Sequence, residues 1–187
     1  MKPSVWLACL LPLLGLVPAH AVLYSVTDLG TLGGTTSQAY SINSAGTIVG
    51  QANTGSDNHA FSYSGGVMID LGTLGGTFSA ALGINSSGTI VGNATTTGDV
   101  SQDAFIDSAG TMTDLNSLLD GSGAGWSLTS AQAINDLGQI VGYGTTGGQT
   151  HAFLLTPEPS ACAMLIGGLG LLTCIIRRRK LHSERGA

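Results

Sequence analysis

Short runs of alternating apolar and polar residues, separated by turns that contain Asn and Gly, fill the middle of this chain. Residues 39–42 alternate in this way and are followed by Asn-Ser-Ala-Gly at 43–46. Asn at the first position and Gly at the fourth suit a type I turn, in which the Asn side chain caps its own backbone. Thr-Ile-Val at 47–49 is β-branched throughout, which favours a strand. The pattern therefore predicts a β-hairpin, followed by strands at 60–63 and 67–71.

The same pattern occurs three times along the chain. The spacing from Ile42 to Ile84 is 42 residues, and that from Ile84 to Ile134 is 50 residues. The recurring motifs are Asp-Leu-Gly-Thr-Leu-Gly-Gly at 28–34 and 70–76 with a degraded copy at 114–120, Ile-Val-Gly at 48–50, 90–92 and 140–142, and His-Ala-Phe or Asp-Ala-Phe at 59–61, 103–105 and 151–153. Internal repetition of this period is typical of a repeat architecture. We therefore predict one all-β domain over residues 22–156, built from three repeats of about four short antiparallel strands.

The number of repeats leaves the overall architecture open. Four short strands in each repeat are typical of a propeller blade, but three repeats are fewer than the usual four to eight blades. A three-sided β-prism and a short open stack of sheets are the alternatives. Residues 24–29 match the fourth strand of a repeat, and the last repeat ends at residues 152–155 without a fourth strand. We expect these two segments to pair and close a ring, since pairing removes an exposed sheet edge.

Few residue types are available to form the core of this domain. Residues 22–156 contain no Cys, so no disulfide can brace them. The core is expected to rest on Ile42, Ile48, Phe61, Leu71 and their equivalents in the other repeats.

The N-terminus has the pattern of a signal peptide. Lys2 precedes an apolar run at 5–17, and the segment closes with Ala-His-Ala at 19–21. A basic start, a short apolar core and small residues at the cleavage site define such a signal. We predict a signal helix in residues 1–21, with Ala19 and Ala21 marking the cleavage site.

A second apolar segment lies at residues 161–176 and is followed at once by a basic cluster. The cluster consists of Arg177, Arg178, Arg179 and Lys180. Sixteen helical residues span about 24 Å, which is short for a hydrocarbon core of about 30 Å, but basic side chains can extend the reach of such a helix. Basic residues beside an apolar segment stay on the cytoplasmic side of a membrane. The pattern predicts a transmembrane helix that leaves residues 22–156 outside.

The C-terminal residues 157–187 resemble the PEP-CTERM sorting tail. Pro157, Glu158 and Pro159 precede the apolar segment and the basic cluster, in the order found in that family. The resemblance implies that an exosortase, a membrane cysteine protease-transpeptidase, recognises and processes the tail. The Pro-Glu-Pro residues are then a substrate motif and not a catalytic one.

The middle of the chain resembles the extracellular HAF-repeat group. The resemblance rests on His-Ala-Phe at 59–61 and 151–153, and on the Ile-Asn-x-x-Gly-x-Ile-Val-Gly motif. That family implies an extracellular β-repeat domain and supplies no biochemical function.

Charge narrows the possible partners. Residues 22–156 carry nine Asp and no Lys, Arg or Glu, which gives a formal charge of −9. Phosphates would repel such a domain, so nucleic acid is excluded as a partner. No Gly-x-Ser-x-Gly motif is present, and no cofactor is predicted. A metal-dependent hydrolase would require His59, Asp103 and His151, at matching repeat positions, to converge on one axis.

We therefore expect a non-enzymatic, exported protein of the cell surface or extracellular matrix, anchored in the membrane as a precursor. The alternative is a module that binds exopolysaccharide or another carbohydrate. The aromatic side chains available as sugar platforms are Tyr40, Tyr63, Trp126 and Tyr143.

Overall fold

A computed structural model describes residues 22–158, and these residues form an all-β fold, as the sequence predicts. Within this range there are eleven strands and three short 3₁₀ turns, at Thr97–Asp99, Leu115–Leu118 and Gly121–Gly123. The strands are β1 (Ser37–Ile42), β2 (Ile48–Asn53), β3 (Asn58–Ser64), β4 (Val67–Gly72), β5 (Gly75–Ile84), β6 (Ile90–Thr96), β7 (Gln102–Ser108), β8 (Thr111–Asp114), β9 (Trp126–Ile134), β10 (Ile140–Thr146) and β11 (Gln149–Leu155).

The strands form three consecutive antiparallel meanders. β1–β4 make the first, β5–β8 the second and β9–β11 the third. The first two belong to one eight-stranded sheet, joined by a single parallel bridge between Asn58 and Phe78, and the third is a separate three-stranded sheet. The described residues contain no fourth strand in the third meander.

The Asn-x-x-Gly turns form as the sequence predicts. The Gly46 N–H donates to the Asn43 carbonyl at 3.0 Å, and the Thr47 N–H donates to Asn43 Oδ1 at 3.0 Å. The equivalent bonds recur around Asn85 and Asn135. Because each turn satisfies its own backbone locally, short-range sequence is enough to specify these hairpins.

The core lies between successive meanders. One buried cluster joins Val49 and Ala60 of the first meander to the second, and another joins Val91 and Ala104 of the second meander to the third. Phe61 is fully buried, Leu71 is partly buried against the first cluster, and Ile48 is half-buried.

The expectation that Ile42 forms part of the core is wrong. Its side chain is 63% exposed, whereas its equivalent Ile84 is 8% exposed. Ile84 packs between two meanders, whereas among residues 22–158 no meander precedes the first one to cover Ile42 in the same way.

The predicted closing strand is also wrong. Residues 22–36 contain no strand, and β11 pairs only with β10. The first Asp-Leu-Gly motif is instead bonded to the first meander, since the Gly34 N–H donates to the Asn53 carbonyl at 2.9 Å and the Ser37 hydroxyl donates to the Gly30 carbonyl at 2.6 Å. The ring is therefore not closed by this segment, and the three meanders form an open stack.

Candidate functional site

A groove of about 680 Å³ lies beside the third meander. The loop after β8, the strands β9–β11 and the start of the C-terminal tail form its walls. Its lining combines many apolar side chains with two carboxylates: Ile106, Leu115, Leu118, Leu119, Trp126, Leu128, Ile140, Phe153, Leu155, Pro157, Asp120 and Glu158. An apolar groove with a few polar groups is the usual form of a small-ligand site.

Two hydrogen bonds hold the loop wall of the groove against β9. Asn116 Nδ2 donates to the Leu128 carbonyl at 3.0 Å, and the Leu128 N–H donates to Asn116 Oδ1 at 2.7 Å. Asp114 caps the same 3₁₀ turn by accepting from the Asn116 N–H at 2.8 Å. Leu115, the first residue of this turn, is buried, and the two hydrogen bonds join the loop to β9.

Two carboxyl groups meet at the rim of the groove. Asp120 accepts from the Ser122 hydroxyl and from the Ser122 N–H, and these bonds lower the pKa of Asp120. The neighbouring Asp120 raises the pKa of Glu158, first through a side-chain hydrogen bond and then through its charge. Glu158 is the middle residue of the predicted sorting motif, and Pro157 before it also lines the groove, so the motif and the groove share two residues.

Trp126 is the more exposed of the two aromatic residues that line the groove, since Phe153 is buried. Trp126 is half-buried, and its ring meets the ring of the exposed His151 edge-on, with centroids 6.4 Å apart and an interplanar angle of 81°. A half-buried indole ring that contacts a second ring suits stacking of a flat or weakly polar ligand.

The four aromatic residues predicted as sugar platforms do not form one surface. Tyr40 lies on β1 and its hydroxyl donates to Gln38 Oε1 at 2.7 Å, and desolvation raises the pKa of that hydroxyl. Tyr63 is half-buried on β3. Tyr143 lies on β10, but on the face opposite to Thr146, the residue that pairs with Trp126. Only Trp126 of the four lines the groove.

The three matching positions proposed for a metal have different surroundings. His59 Nδ1 lies 2.9 Å from Asp70 Oδ2, and His151 contacts Trp126. Burial, followed by the charge of Asp114, raises the pKa of Asp103. Residues 22–158 contain no group of three or more His, Cys, Asp or Glu side chains that could hold a metal ion. The hypothesis that these residues converge is therefore wrong.

The repeated Asp residues support turns. Asp28 Oδ1 accepts from the Gly30 N–H at 2.9 Å, and Asp70 Oδ1 accepts from the Gly72 N–H at 2.7 Å. Asp in the Asp-Leu-Gly motif therefore caps its own turn and serves the fold.

Most of the predicted sorting residues lie outside the described part of the chain. These are Ala19, Ala21, Pro159, Arg177, Arg178, Arg179 and Lys180, together with the predicted signal helix at 1–21 and the transmembrane helix at 161–176. Pro157 and Glu158 are described, and both are exposed directly after β11. Among residues 22–158, no helix is long and apolar enough to cross a membrane.

Comparison with known proteins gave no match to a family model, to a curated protein or to a solved structure.

Proposed function

We propose that this chain is an exported, non-enzymatic protein of the cell surface or extracellular matrix, and that an exosortase-like enzyme sorts and processes its C-terminal tail. The observation that carries the proposal is the arrangement of the two ends: a signal peptide in residues 1–21, and the Pro-Glu-Pro motif, apolar segment and basic cluster after residue 156. Pro157 and Glu158 are exposed after the last strand, so an enzyme could reach the motif without unfolding the domain.

The finer architecture that we propose is a stack of propeller-type blades of the HAF-repeat kind. Each meander supplies three or four antiparallel strands, and each packs on the next through its Ile-Val-Gly and Ala-Phe segments. Small side chains, turn glycines and the lack of Lys and Arg suit a scaffold more than a catalytic domain.

Processing can be tested by intact mass and terminal sequencing of the protein from its native host. We expect a mature species that starts at Val22 and ends near residues 157–159, because both apolar segments are removed. The variant with Pro157→Ala, Glu158→Ala and Pro159→Ala should keep its tail, whereas Thr156→Ala should be processed normally. If the wild-type protein retains residues 177–180 in a host with an active exosortase, the processing proposal is wrong and a plain membrane anchor replaces it.

Carbohydrate binding is the second candidate function, and the groove at Trp126 favours it. The half-buried indole ring can stack on a sugar ring, while the carboxylates of Asp120 and Glu158 at the rim accept hydrogen bonds from the sugar hydroxyls. For an exported surface protein, this second candidate function predicts exopolysaccharide as the ligand class.

The Trp126→Ala variant tests this second function on a glycan array and by titration with the glycan that binds best. We expect a loss of about 2 kcal/mol or more in binding free energy, which is a loss of about thirtyfold in affinity, because Trp126 is half-buried and open to a ligand, whereas Phe153, the other aromatic residue lining the groove, is buried. Trp126→Phe should keep part of the affinity, and Tyr40→Ala, which is outside the groove, should keep all of it. Equal losses for Trp126→Ala and Tyr40→Ala would rule out the groove as the binding site.

A further inference from the structure

Each contact between meanders uses two different faces. Val49 lies on one face of the first meander. It packs in the same cluster as Ile84 and Ile90, which lie on the opposite face of the second meander. Val91 of the second meander packs in the same way with Ile140 of the third, and Ile134 is partly buried against that cluster. The stack is therefore directional. We call the face that carries Val49 or Val91 the forward face, and the face that carries Ile84, Ile90 or Ile140 the backward face.

The last meander presents the forward face without a partner among the described residues. Val141 is 45% exposed, whereas its equivalents Val49 and Val91 are 0% exposed. Ala152 is exposed, whereas its equivalent Ala104 is completely buried. Val141 and Ala152 therefore occupy the same positions in the third meander as the residues that form the contact between meanders elsewhere in the stack.

The first meander presents the backward face. Ile42 is 63% exposed against 8% for Ile84, and Ala39 is exposed while its equivalent Ala81 is fully buried. Among residues 22–158, the first and last meanders therefore carry the two halves of the contact that already occurs twice between meanders.

A ladder of asparagine side chains follows the same direction. Asn43 Nδ2 donates to the Asn85 carbonyl at 3.1 Å, and Asn85 Nδ2 donates to the Asn135 carbonyl at 3.3 Å. At the far end, Asn135 Nδ2 donates to its own Gln139 side chain at 2.8 Å. Within residues 22–158 the Asn43 carbonyl accepts only from its own turn, through Gly46. One end of the ladder offers a donor and the other an acceptor.

We propose that a second copy of this chain binds head to tail, with the Val141 and Ala152 face of one copy against Ala39 and Ile42 of the next. The Asn135 amide then turns from Gln139 to the Asn43 carbonyl of the other copy. The contact is heterologous, so two copies close into a ring if the rotation permits, and otherwise a longer chain forms. Two copies provide six meanders, which falls within the four to eight sheets of closed propellers, so a dimer is the expected product.

Charge predicts how this association depends on salt. Each copy carries −9 over residues 22–156 and has no basic residue there, so two copies repel each other in dilute buffer. The screening length falls from about 10 Å at 0.1 M salt to about 3 Å at 1 M. Association is therefore stronger at high salt, opposite to a contact made by ion pairs.

The first experiment measures the mass of the full chain in detergent by sedimentation, at low and high salt and up to about 100 µM. The wild type is expected to form dimers or longer chains, and Val141→Lys to weaken association at least about tenfold, because a cation cannot be buried in an apolar contact. Val100→Lys makes the same charge change at an exposed loop position and should associate like the wild type. A monomer at high salt, or equal association by both variants, overturns the proposal.

The second experiment identifies the surfaces in contact. An Ile42→Cys chain mixed with a Val141→Cys chain should form a disulfide between positions 42 and 141, read by mass spectrometry of the linked peptides, while Val100→Cys should not link to Ile42→Cys. A link from position 141 to Cys162 or Cys174 in place of position 42 would mean that the tail covers this face, and the head-to-tail proposal would fall.

Discussion

Gly92→Ala is expected to lower the free energy of unfolding by about 3 kcal/mol or more, although it adds one methyl group. A Cβ at this position would meet the carbonyl oxygen of Ala80 well inside contact distance, and it would lie 2.8 Å from Cε1 of Phe105. Phe105 pairs directly with Gly92 across β6 and β7, and its ring is fully buried. Neither the backbone oxygen nor a packed ring can move away without opening the sheet.

The matched control for this substitution is Gly121→Ala. No atom lies within 4 Å of a Cβ placed there, and Gly121 does not have a positive φ. We expect the free energy of unfolding of this variant to lie within about 0.5 kcal/mol of the wild-type value, as is usual for surface substitutions. Urea unfolding followed by circular dichroism measures both, and a Gly92→Ala cost as small as that of the control would show that the Gly–Phe pair is not close-packed.

The Gly–Phe pair explains two sequence motifs at once. Gly50 pairs with Phe61, and Gly142 pairs with Phe153, in the same register as Gly92 with Phe105. The Ile-Val-Gly and Ala-Phe motifs therefore form one paired unit, and at Gly92 and Gly142 the absent side chain makes room for the ring. Sequence reasoning found both motifs but could not join them, because register across a loop of variable length is not a local property.

The strands and hairpin turns were predictable because their causes are local. The Asn-x-x-Gly spacing supplies the hydrogen bonds of each turn from within the turn. The prediction of a strand at residues 24–29 was wrong because strand formation also depends on non-local contacts. The alternation of these residues resembles that of β4, but a strand also needs a partner, and the bonds that follow them go to the first meander.

The groove could be anticipated only in part. The longer third repeat and its single Trp126 marked the loop as unusual. The walls, however, come from residues distant in sequence, such as Leu115 and Pro157, and from the bracket between Asn116 and Leu128. No short-range pattern identifies such a bracket, so the carboxyl pair of Asp120 and Glu158 was missed as well.

The asparagine ladder was missed although its signal was present. Asn stands at the same place in all three repeats, and its role in each turn accounts for that position without any contact between repeats. The geometry adds a second role, since the amide of one Asn donates to the carbonyl of the next. A polar side chain that bonds within its own turn and also to the next meander is expected to contribute more to the free energy of unfolding than one that bonds only within its turn.

Asn85→Ala should accordingly cost about 3 kcal/mol, because Asn85 is 6% exposed and lies in the middle of the ladder. The substitution removes the acceptor of the Thr89 N–H at 2.9 Å and the donor to the Asn135 carbonyl at 3.3 Å. Asn85→Asp keeps the acceptor and loses the donor, and it also places a buried carboxylate beside a carbonyl. Burial raises the folded-state pKa of such a carboxyl above its unfolded value, so the deficit of this variant is largest at neutral pH and shrinks as the pH falls through the folded-state pKa.

Asn135→Ala separates the ladder from the turn, and the comparison is made by urea unfolding at neutral pH. Asn135 is exposed and accepts from the Leu137 and Gln139 N–H groups at 3.0 and 2.9 Å, but its amide reaches only the side chain of Gln139. Its loss should cost about 1 kcal/mol, since water can replace the bonds of an exposed turn. Equal costs for Asn85→Ala and Asn135→Ala would mean that the ladder adds nothing to the stack. A difference of about 2 kcal/mol would measure the contribution to the free energy of unfolding of one buried amide group, that of Asn85, which is bonded to Thr89 in its own meander and to Asn135 in the next.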